Sequence, residues 1–530
     1  MKVPIKRVSR GVSLCLGLSA ITAVSAQEKH AVSLSPSKMP KLATLDSRYL
    51  SYNVEMVEVT GGRFWKPYKA AGEGQATAAT RTPPDANQQV GLNPDLFQYR
   101  PPIDLSNPRL RKLAATLGPA YMRVSGTWQN STYFQNDDRP ALSQSPEGFK
   151  GVLTRDEWKS VIDFARVTNT KLVTSVAISP GVRNAEGVWT PSQARAVLDY
   201  TKSLGASVAA TEFMNEPNFP GPGSAPQGYD AVAFARDVKL FEAFLRKESP
   251  GTIFLGPGSV GEGVSLAPGG AQIKILETED IMKATGAIFD AFSYHFYGAV
   301  SRRCGGKIGI DQALSAEWLD RTDTVETFYS ALRDKYLSGK PLWLTETAEA
   351  ACGGDPFAGQ FADSFRFLNQ LGSLAQIGVR VVMHNTLASS DYGLLSEDTL
   401  EPRPNYWAAL LWKRTMGAEV LDPGVPRGGS LRVFAHCLAV SKGGVALLAL
   451  NTDRNEEQFL TVPVSGEMLT LTAAGLESRQ VSLNGAELHA GSDGSVPSLK
   501  GQRMEAGTVP LPPASITFLM LPTAGNKSCM

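Results

Sequence analysis

The sequence is poor in the residues that build metal and redox centres. Its 530 residues include five histidines and five cysteines, with no CxxC pair and no Cys/His cluster. Structural zinc needs about four such ligands at close spacing, so a zinc site is excluded, and no metal or other cofactor is expected. The chain also lacks a GxGxxG and a Walker motif, which removes the common nucleotide-binding readings of an α/β protein. Past the N-terminus no stretch approaches 18 uninterrupted apolar residues, so no membrane span is expected. Internal repeats and dominant low-complexity tracts are missing too. Charge of one sign is not in excess: 52 Lys and Arg stand against 51 Asp and Glu. A nucleic-acid partner, which calls for a basic surface, is therefore not expected.

The N-terminus has the make-up of a signal peptide. Lys2, Lys6, Arg7 and Arg10 precede a short apolar core over residues 11–24, and Val24-Ser25-Ala26 offers a small-residue cleavage site. Cleavage after Ala26 removes four basic and no acidic residues, which leaves 48 basic against 51 acidic side chains, a net charge of −3. The expected location is the periplasm or the exterior. Four cysteines survive cleavage: Cys304, Cys352, Cys437 and Cys529. In an oxidising compartment they form disulfides, with three possible pairings.

Eight apolar, often β-branched segments follow one another, at 52–59, 121–124, 171–178, 209–214, 252–256, 291–297, 341–345 and 378–383. Amphipathic helical patterns lie between them. Eight β-then-α units in a row predict a (β/α)8 TIM barrel. After about residue 415 short alternating strands with turn signals take over, which predicts an antiparallel β-sandwich. The expected domains are the signal peptide at 1–26, the catalytic barrel at 47–415, and a sandwich made of 27–46 plus 416–530. Residues 69–100, rich in Ala, Gly, Pro and Gln, read as a long excursion after strand 1.

In a TIM barrel the chemistry sits at the C-terminal ends of the strands. Strand 4 ends in Asn215-Glu216-Pro217-Asn218, and strand 7 carries Thr345-Glu346-Thr347. Two carboxylates at such positions suit glycoside hydrolysis with retention, in which one carboxylic acid protonates the leaving oxygen and the other carboxylate attacks the anomeric carbon. Glu216 is assigned as acid/base and Glu346 as nucleophile. Asn215, beside the acid, suits a hydrogen bond to the sugar 2-OH. Glu212 shares strand parity with Glu216 and reads as an interior partner for Arg123, which could equally orient the nucleophile. Glu349 reads as a loop residue. Strand 6 ends in Tyr294-His295-Phe296-Tyr297, where either tyrosine could serve the site.

With these residues in place, the chain resembles the family 79 glycoside hydrolases, the heparanase-like β-glucuronidases. The resemblance runs over about residues 45–529. It rests on YMRVSGTWQNSTYF at 121–134, TEFMNEPN at 211–218, LWLTETAEAACGG at 342–354, GVRVVMHN at 378–385, LRVFAHC at 431–437 and LPPASITFLMLP at 511–522. The NEP motif is shared by many barrels, whereas the strand-7 glutamate followed by a Gly-Gly loop is much more specific.

The resemblance implies a retaining endo-β-D-glucuronidase acting on heparan sulfate-like glycans, with a uronate-containing polysaccharide as its partner and a monomer as its state. It implies substrate contacts from Glu55, Thr127, Asn215, Tyr297 and Asn385, and a grip on the uronate carboxylate by Gly353, Gly354 and Tyr392. It pairs Cys437 with Cys529, which leaves Cys304 to pair with Cys352 and brace the rim of the site. Departures from mammalian members are a strand-7 loop one residue longer, Cys352 in place of tyrosine, Asn385 in place of glutamine, and a loop before Tyr392 one residue shorter. No excised linker is evident, so a single-chain enzyme is expected. Arg302, Arg303 and Lys307 after strand 6, with Arg63 and Lys66 after strand 1, are candidate sulfate or carboxylate contacts. Two other readings use the same sequence: an exo-acting β-glucuronidase on other glycosides, and a glycan-binding protein without catalysis, against which the intact carboxylate pair counts.

Overall fold

The chain alternates strand and helix because each strand carries apolar residues on both faces, one for the barrel interior and one for the surrounding helices. In the computed structural model, which describes Met1 and residues 31–68, 93–264 and 275–530, eight parallel strands close into a barrel in sequence order. They are β1 (Leu50–Glu55), β2 (Ala120–Ser125), β3 (Thr170–Thr174), β4 (Val208–Thr211), β5 (Ile253–Ser259), β6 (Ala291–Val300), β7 (Leu342–Ala351) and β8 (Val381–His384). A helix of eight or more residues follows each: α1 (Pro108–Thr116), α2 (Arg155–Val167), α3 (Ser192–Ser203), α4 (Ala231–Glu248), α5 (Thr278–Thr285), α6 (Arg321–Tyr336), α7 (Phe361–Ile377) and α8 (Pro404–Thr415). The signal-peptide reading and most of the 69–100 excursion lie outside the described residues. The end of that excursion is regular structure: Phe97–Arg100 pairs antiparallel with Gly62–Trp65.

Behind the barrel lies the β-sandwich. Its larger sheet is built around Met416–Leu421, Leu431–Leu438, Val445–Asn451, Ser515–Leu521 and Gly466–Thr472, with Lys41–Thr44 on one edge. A smaller sheet joins Val32–Ser33, Gln458–Val462 and Gly507–Leu511. The period of two sorts the central strands into two faces. Val433, Ala435, Leu447 and Leu519 face the small sheet, among Leu460, Val462 and Leu511. Phe434, Leu448, Ile516 and Phe518 join the core shared with the barrel helices. That second face explains α7, which is buried from Phe361 to Ala375 between the barrel and the sheet. Among the described residues no helix is long and apolar enough to cross a membrane.

Several strand ends differ from expectation, and four of them shape the barrel mouth. β1 stops at Glu55, and Met56–Thr60 forms one short helix; the buried Val57 and Val59 there had mimicked a strand. β4 stops at Thr211, so Glu212 to Glu216 run as irregular chain. β6 and β7 are instead longer than expected, because they go on pairing with each other past the barrel rim, from Phe292 opposite Leu342 to Val300 opposite Ala351.

Candidate active site

The site forms where the strand ends converge, and its hub is Arg123 on β2, 1% exposed. Its guanidinium Nη1 donates to Glu346 Oε2 at 2.8 Å. Nε and Nη2 donate to Glu212 Oε2 at 3.0 and 2.8 Å, and Nη2 also donates to Asn215 Oδ1 at 2.8 Å. Arg123 thus both orients Glu346 and pairs with Glu212. Burial works against ionised Glu212, but the Arg123 guanidinium beside it, with a hydrogen bond from Thr345 Oγ1 at 2.8 Å, holds its carboxyl below the usual range. The second oxygen of Glu346 accepts from the Tyr297 hydroxyl at 2.6 Å. Both oxygens of this carboxylate therefore meet a donor, and its charge faces a guanidinium.

Glu216 sits in different surroundings. It lies past the end of β4 at φ +50°, a left-handed backbone that residues with a Cβ seldom adopt. Asn130 pins the segment, accepting the Asn215 N–H and donating to Asn215 O, each at 2.9 Å. His295 Nδ1 lies 3.1 Å from Glu216 Oε1, and His295 Nε2 lies 3.4 Å from Arg123 Nη2. A guanidinium can only donate, so Nε2 is assigned as the acceptor and Nδ1 as the N–H donor to Glu216. Burial lowers the imidazole pKa, which keeps His295 neutral. Burial also pushes the Glu216 carboxyl up to about 7, with Arg123 opposing and the Glu212 charge adding. One oxygen of Glu216, one of Glu346 and a ring nitrogen of His295 all lie within 4.8 Å of one another. The Arg123 guanidinium already compensates charge in this cluster, which makes it a poor host for a metal cation.

Asn385, at the end of β8, gathers the remaining side chains. Its Nδ2, with two N–H groups to share, lies within hydrogen-bond reach of Glu55 Oε1, Tyr297 Oη and Tyr392 Oη at 3.2, 3.0 and 3.3 Å. Asn215 Nδ2 reaches Thr127 Oγ1 at 3.4 Å. A continuous chain of contacts therefore joins Thr127, Asn215, Arg123, Glu346, Tyr297, Asn385, Glu55 and Tyr392, with His295 bridging to Glu216. Glu55 Oε2 and Asn385 Oδ1 are buried and unpaired. Burial, with Glu346 nearby, raises the Glu55 carboxyl well above the ordinary range.

The glycine pair occupies the turn after β7. Gly353 has φ +80° and packs on Trp65, and Gly354 has φ +82° and packs on Tyr392. The resemblance gave both N–H groups a contact with the uronate carboxylate. The Gly354 N–H closes the turn on Ala350 O at 3.1 Å and is taken by the backbone. Disulfides join Cys304 to Cys352 and Cys437 to Cys529.

Several other expectations need correction. Glu349 is no loop residue but part of β7, fully buried. Arg303 does not face solvent as a sulfate contact. It pairs with Asp391 at 2.6 Å, stacks over Tyr68 at 4.0 Å and bonds Lys66 O. Arg302 remains half-exposed, 3.3 Å from Asp355. Tyr294 points to the opposite side of β6 from Tyr297 and packs on Tyr329.

Three contributors carried no role in the sequence reading: His295, Asn130 and Gly126. His295 lies two residues from Tyr297 on β6, so strand parity could have found it. Gly126 is visible only in three dimensions. A Cβ there would lie 1.6 Å from Glu55 Oε2, and its φ is +92°. Gly126→Ala is expected to displace Glu55 and lower kcat/KM by about ten- to a hundredfold, the scale of a 1 Å misplacement. Steady-state kinetics on the folded variant would check it; wild-type kinetics would remove Glu55 from the site.

Residues 102–372, half of the chain, match the family described as "Glycosyl hydrolase family 79, N-terminal domain". Mouse heparanase is 28% identical over 493 residues, covering 80% of this chain and 88% of that protein. Baicalin-beta-D-glucuronidase of Scutellaria baicalensis is 25% identical, covering 79% of this chain and 84% of that protein. Among solved structures, a 4-O-alpha-L-rhamnosyl-beta-D-glucuronidase from Fusarium oxysporum superposes with a TM-score of 0.61 at 14% identity, over 92% of this chain and all of that one. That last likeness speaks to the fold.

Proposed function

The chain belongs to glycosyl hydrolase family 79, and from that premise we propose that it is a retaining β-D-glucuronidase that cleaves β-linked glucuronate in heparan sulfate-like glycans. One observation carries the mechanism. Two carboxyl groups lie with oxygens within 4.8 Å, one donor-saturated beside a guanidinium and the other pushed up to about 7 by burial. Retaining enzymes place their carboxyls about 5–5.5 Å apart, while inverting ones leave room for a water at about 6.5–9.5 Å.

In the first step a Glu346 oxygen forms a bond to the anomeric carbon. The bond from that carbon to the leaving oxygen breaks, and Glu216 gives its proton to that oxygen. In the second step Glu216 takes a proton from water. The water oxygen bonds to the anomeric carbon and Glu346 leaves as carboxylate. Asn215, fixed by Arg123 and Asn130, is placed for the sugar 2-OH. The unpaired Glu55 Oε2 and Asn385 Oδ1 are partners for ring hydroxyls, whose burial without them would cost free energy. Tyr392 Oη accepts from Asn385, so its own proton is available to an anion. With the Gly353 N–H it forms the proposed uronate carboxylate grip. Export to an oxidising compartment as a single-chain monomer completes the proposal.

The test is a paired digest, with wild type and Glu346→Gln each given heparan sulfate and a chromogenic β-glucuronide. Shortened heparan sulfate chains from wild type alone support internal cleavage. Chromophore release alone moves the substrate to terminal glucuronides. The first product anomer, read by proton NMR, is expected to be β; an α product would overturn retention.

A further inference from the structure

The turn that carries Gly353 is held from outside by a device distinct from the catalytic groups. Three consecutive residues, Cys352, Gly353 and Gly354, have φ of +62°, +80° and +82°. Glycine reaches this region freely, whereas cysteine does so only where its surroundings impose it. Those surroundings are specific. Cys352 is bridged to Cys304, in the loop after β6. Ser301 Oγ donates to Cys352 O at 3.1 Å, and Ser301 N–H to Ala351 O at 3.0 Å. The far side of the turn is tied down by Glu349, whose Oε2 accepts the Asp355 N–H at 2.9 Å. Asp355 Oδ1 in turn accepts the Arg302 N–H at 2.9 Å. The loops after β6 and β7 are thereby stitched into one unit. On its inner side, Gly353 O accepts the Asp391 N–H at 3.2 Å, next to Tyr392.

Neither the bridge nor Glu349 has a part in the proton and bond changes described above. A backbone N–H selects an anion only if it is already placed. A turn that must be ordered on binding gives up affinity to that ordering. We infer that the Cys304–Cys352 bridge and Glu349 are positioning residues that set the uronate selectivity of the sugar subsite by fixing the Gly353 turn. The inference rests on the uronate reading of the site and goes beyond it by naming what enforces that selectivity. The reacting atoms are held by Arg123, Tyr297 and His295, so loosening the turn should spare the chemical step.

The experiment compares wild type, the double variant Cys304→Ser/Cys352→Ser, Glu349→Ala and Glu349→Gln. Each is assayed on 4-nitrophenyl β-D-glucuronide and on the β-D-glucoside, in which a hydroxymethyl group replaces the carboxylate. The double variant and Glu349→Ala are expected to raise KM for the glucuronide about tenfold, the scale of one lost preorganised contact, with kcat held within about twofold. Any turnover of the glucoside stays the same. Glu349→Gln keeps an acceptor for the Asp355 N–H and is expected to behave as wild type. Glu349→Ala retains both cysteines, so the inference remains testable if the double variant does not fold. An unchanged KM in Glu349→Ala, an equal fall in kcat, or a Glu349→Gln as impaired as Glu349→Ala overturns the inference and leaves the glucuronidase reading intact. A wild type that turns over no β-glucuronide overturns both.

Discussion

Glu346→Ala is expected to lower kcat by about 10⁴-fold or more, roughly 5.5 kcal/mol of barrier. The size follows from the site. Glu346 is the carboxylate that Arg123 and Tyr297 hold within 4.8 Å of Glu216, and no other group there can form the covalent bond. Glu212 is held away from the role, since Arg123 takes one of its oxygens and Thr345 the other. Removing Glu346 also leaves Arg123 with one buried carboxylate instead of two, so Glu346→Gln is the gentler companion variant. Azide restores the alanine variant in a distinctive way. It occupies the vacated volume, attacks the same face of the sugar and yields a glycosyl azide of inverted configuration. Rescue with that product identifies Glu346 as nucleophile. An alanine variant with more than about a tenth of wild-type kcat would assign the role elsewhere.

Glu216→Gln is expected to cost about 10³-fold in kcat on substrates with alkoxide leaving groups, within the usual range for a general acid. On 4-nitrophenyl glycosides the loss in kcat/KM, which reads the first step, should be far smaller, because that leaving group departs without a proton, while kcat still carries the loss of the base in the second step. The pH profile gives an independent reading. The Glu216 carboxyl is raised to about 7, so it is protonated and competent below that pH and loses its proton above it. The rate should therefore fall as pH rises through about 7, and Glu216→Gln should abolish that limb. A basic limb that survives the substitution would show that another group titrates. The arrangement also allows the second role. Once Glu346 is esterified its negative charge is gone, while the Arg123 guanidinium that opposes the rise in the Glu216 pKa remains, which favours the base form of Glu216 in the second step.

Much of this was legible in one dimension. Strand–helix alternation marks a barrel because each strand must bury two faces and each helix one. A carboxylate just past an apolar strand marks the barrel mouth, which is how Glu216 and Glu346 stand out. The boundaries that failed did so for tertiary reasons. Residues 348–351 read as loop because nothing local shows that β6 continues to pair with them. Glu349 was misplaced with them. Arg303 looked like a free cation, since its partners Asp391 and Tyr68 lie 88 and 235 positions away.

The amino-acid sequence by itself determined the architecture, put forward Glu216 and Glu346 as the candidate carboxylate pair, and supplied the cysteines. These depend on periodicity and on residue type at strand ends, which are local properties. The folded chain alone decided how the carboxylates differ. One guanidinium serves Glu212, Glu346 and Asn215 at once, a neutral His295 spans to Glu216, and Gly126 leaves room for Glu55. Each of these depends on distances between residues far apart in the chain. Burial and charge proximity, which set protonation, exist only once those residues meet.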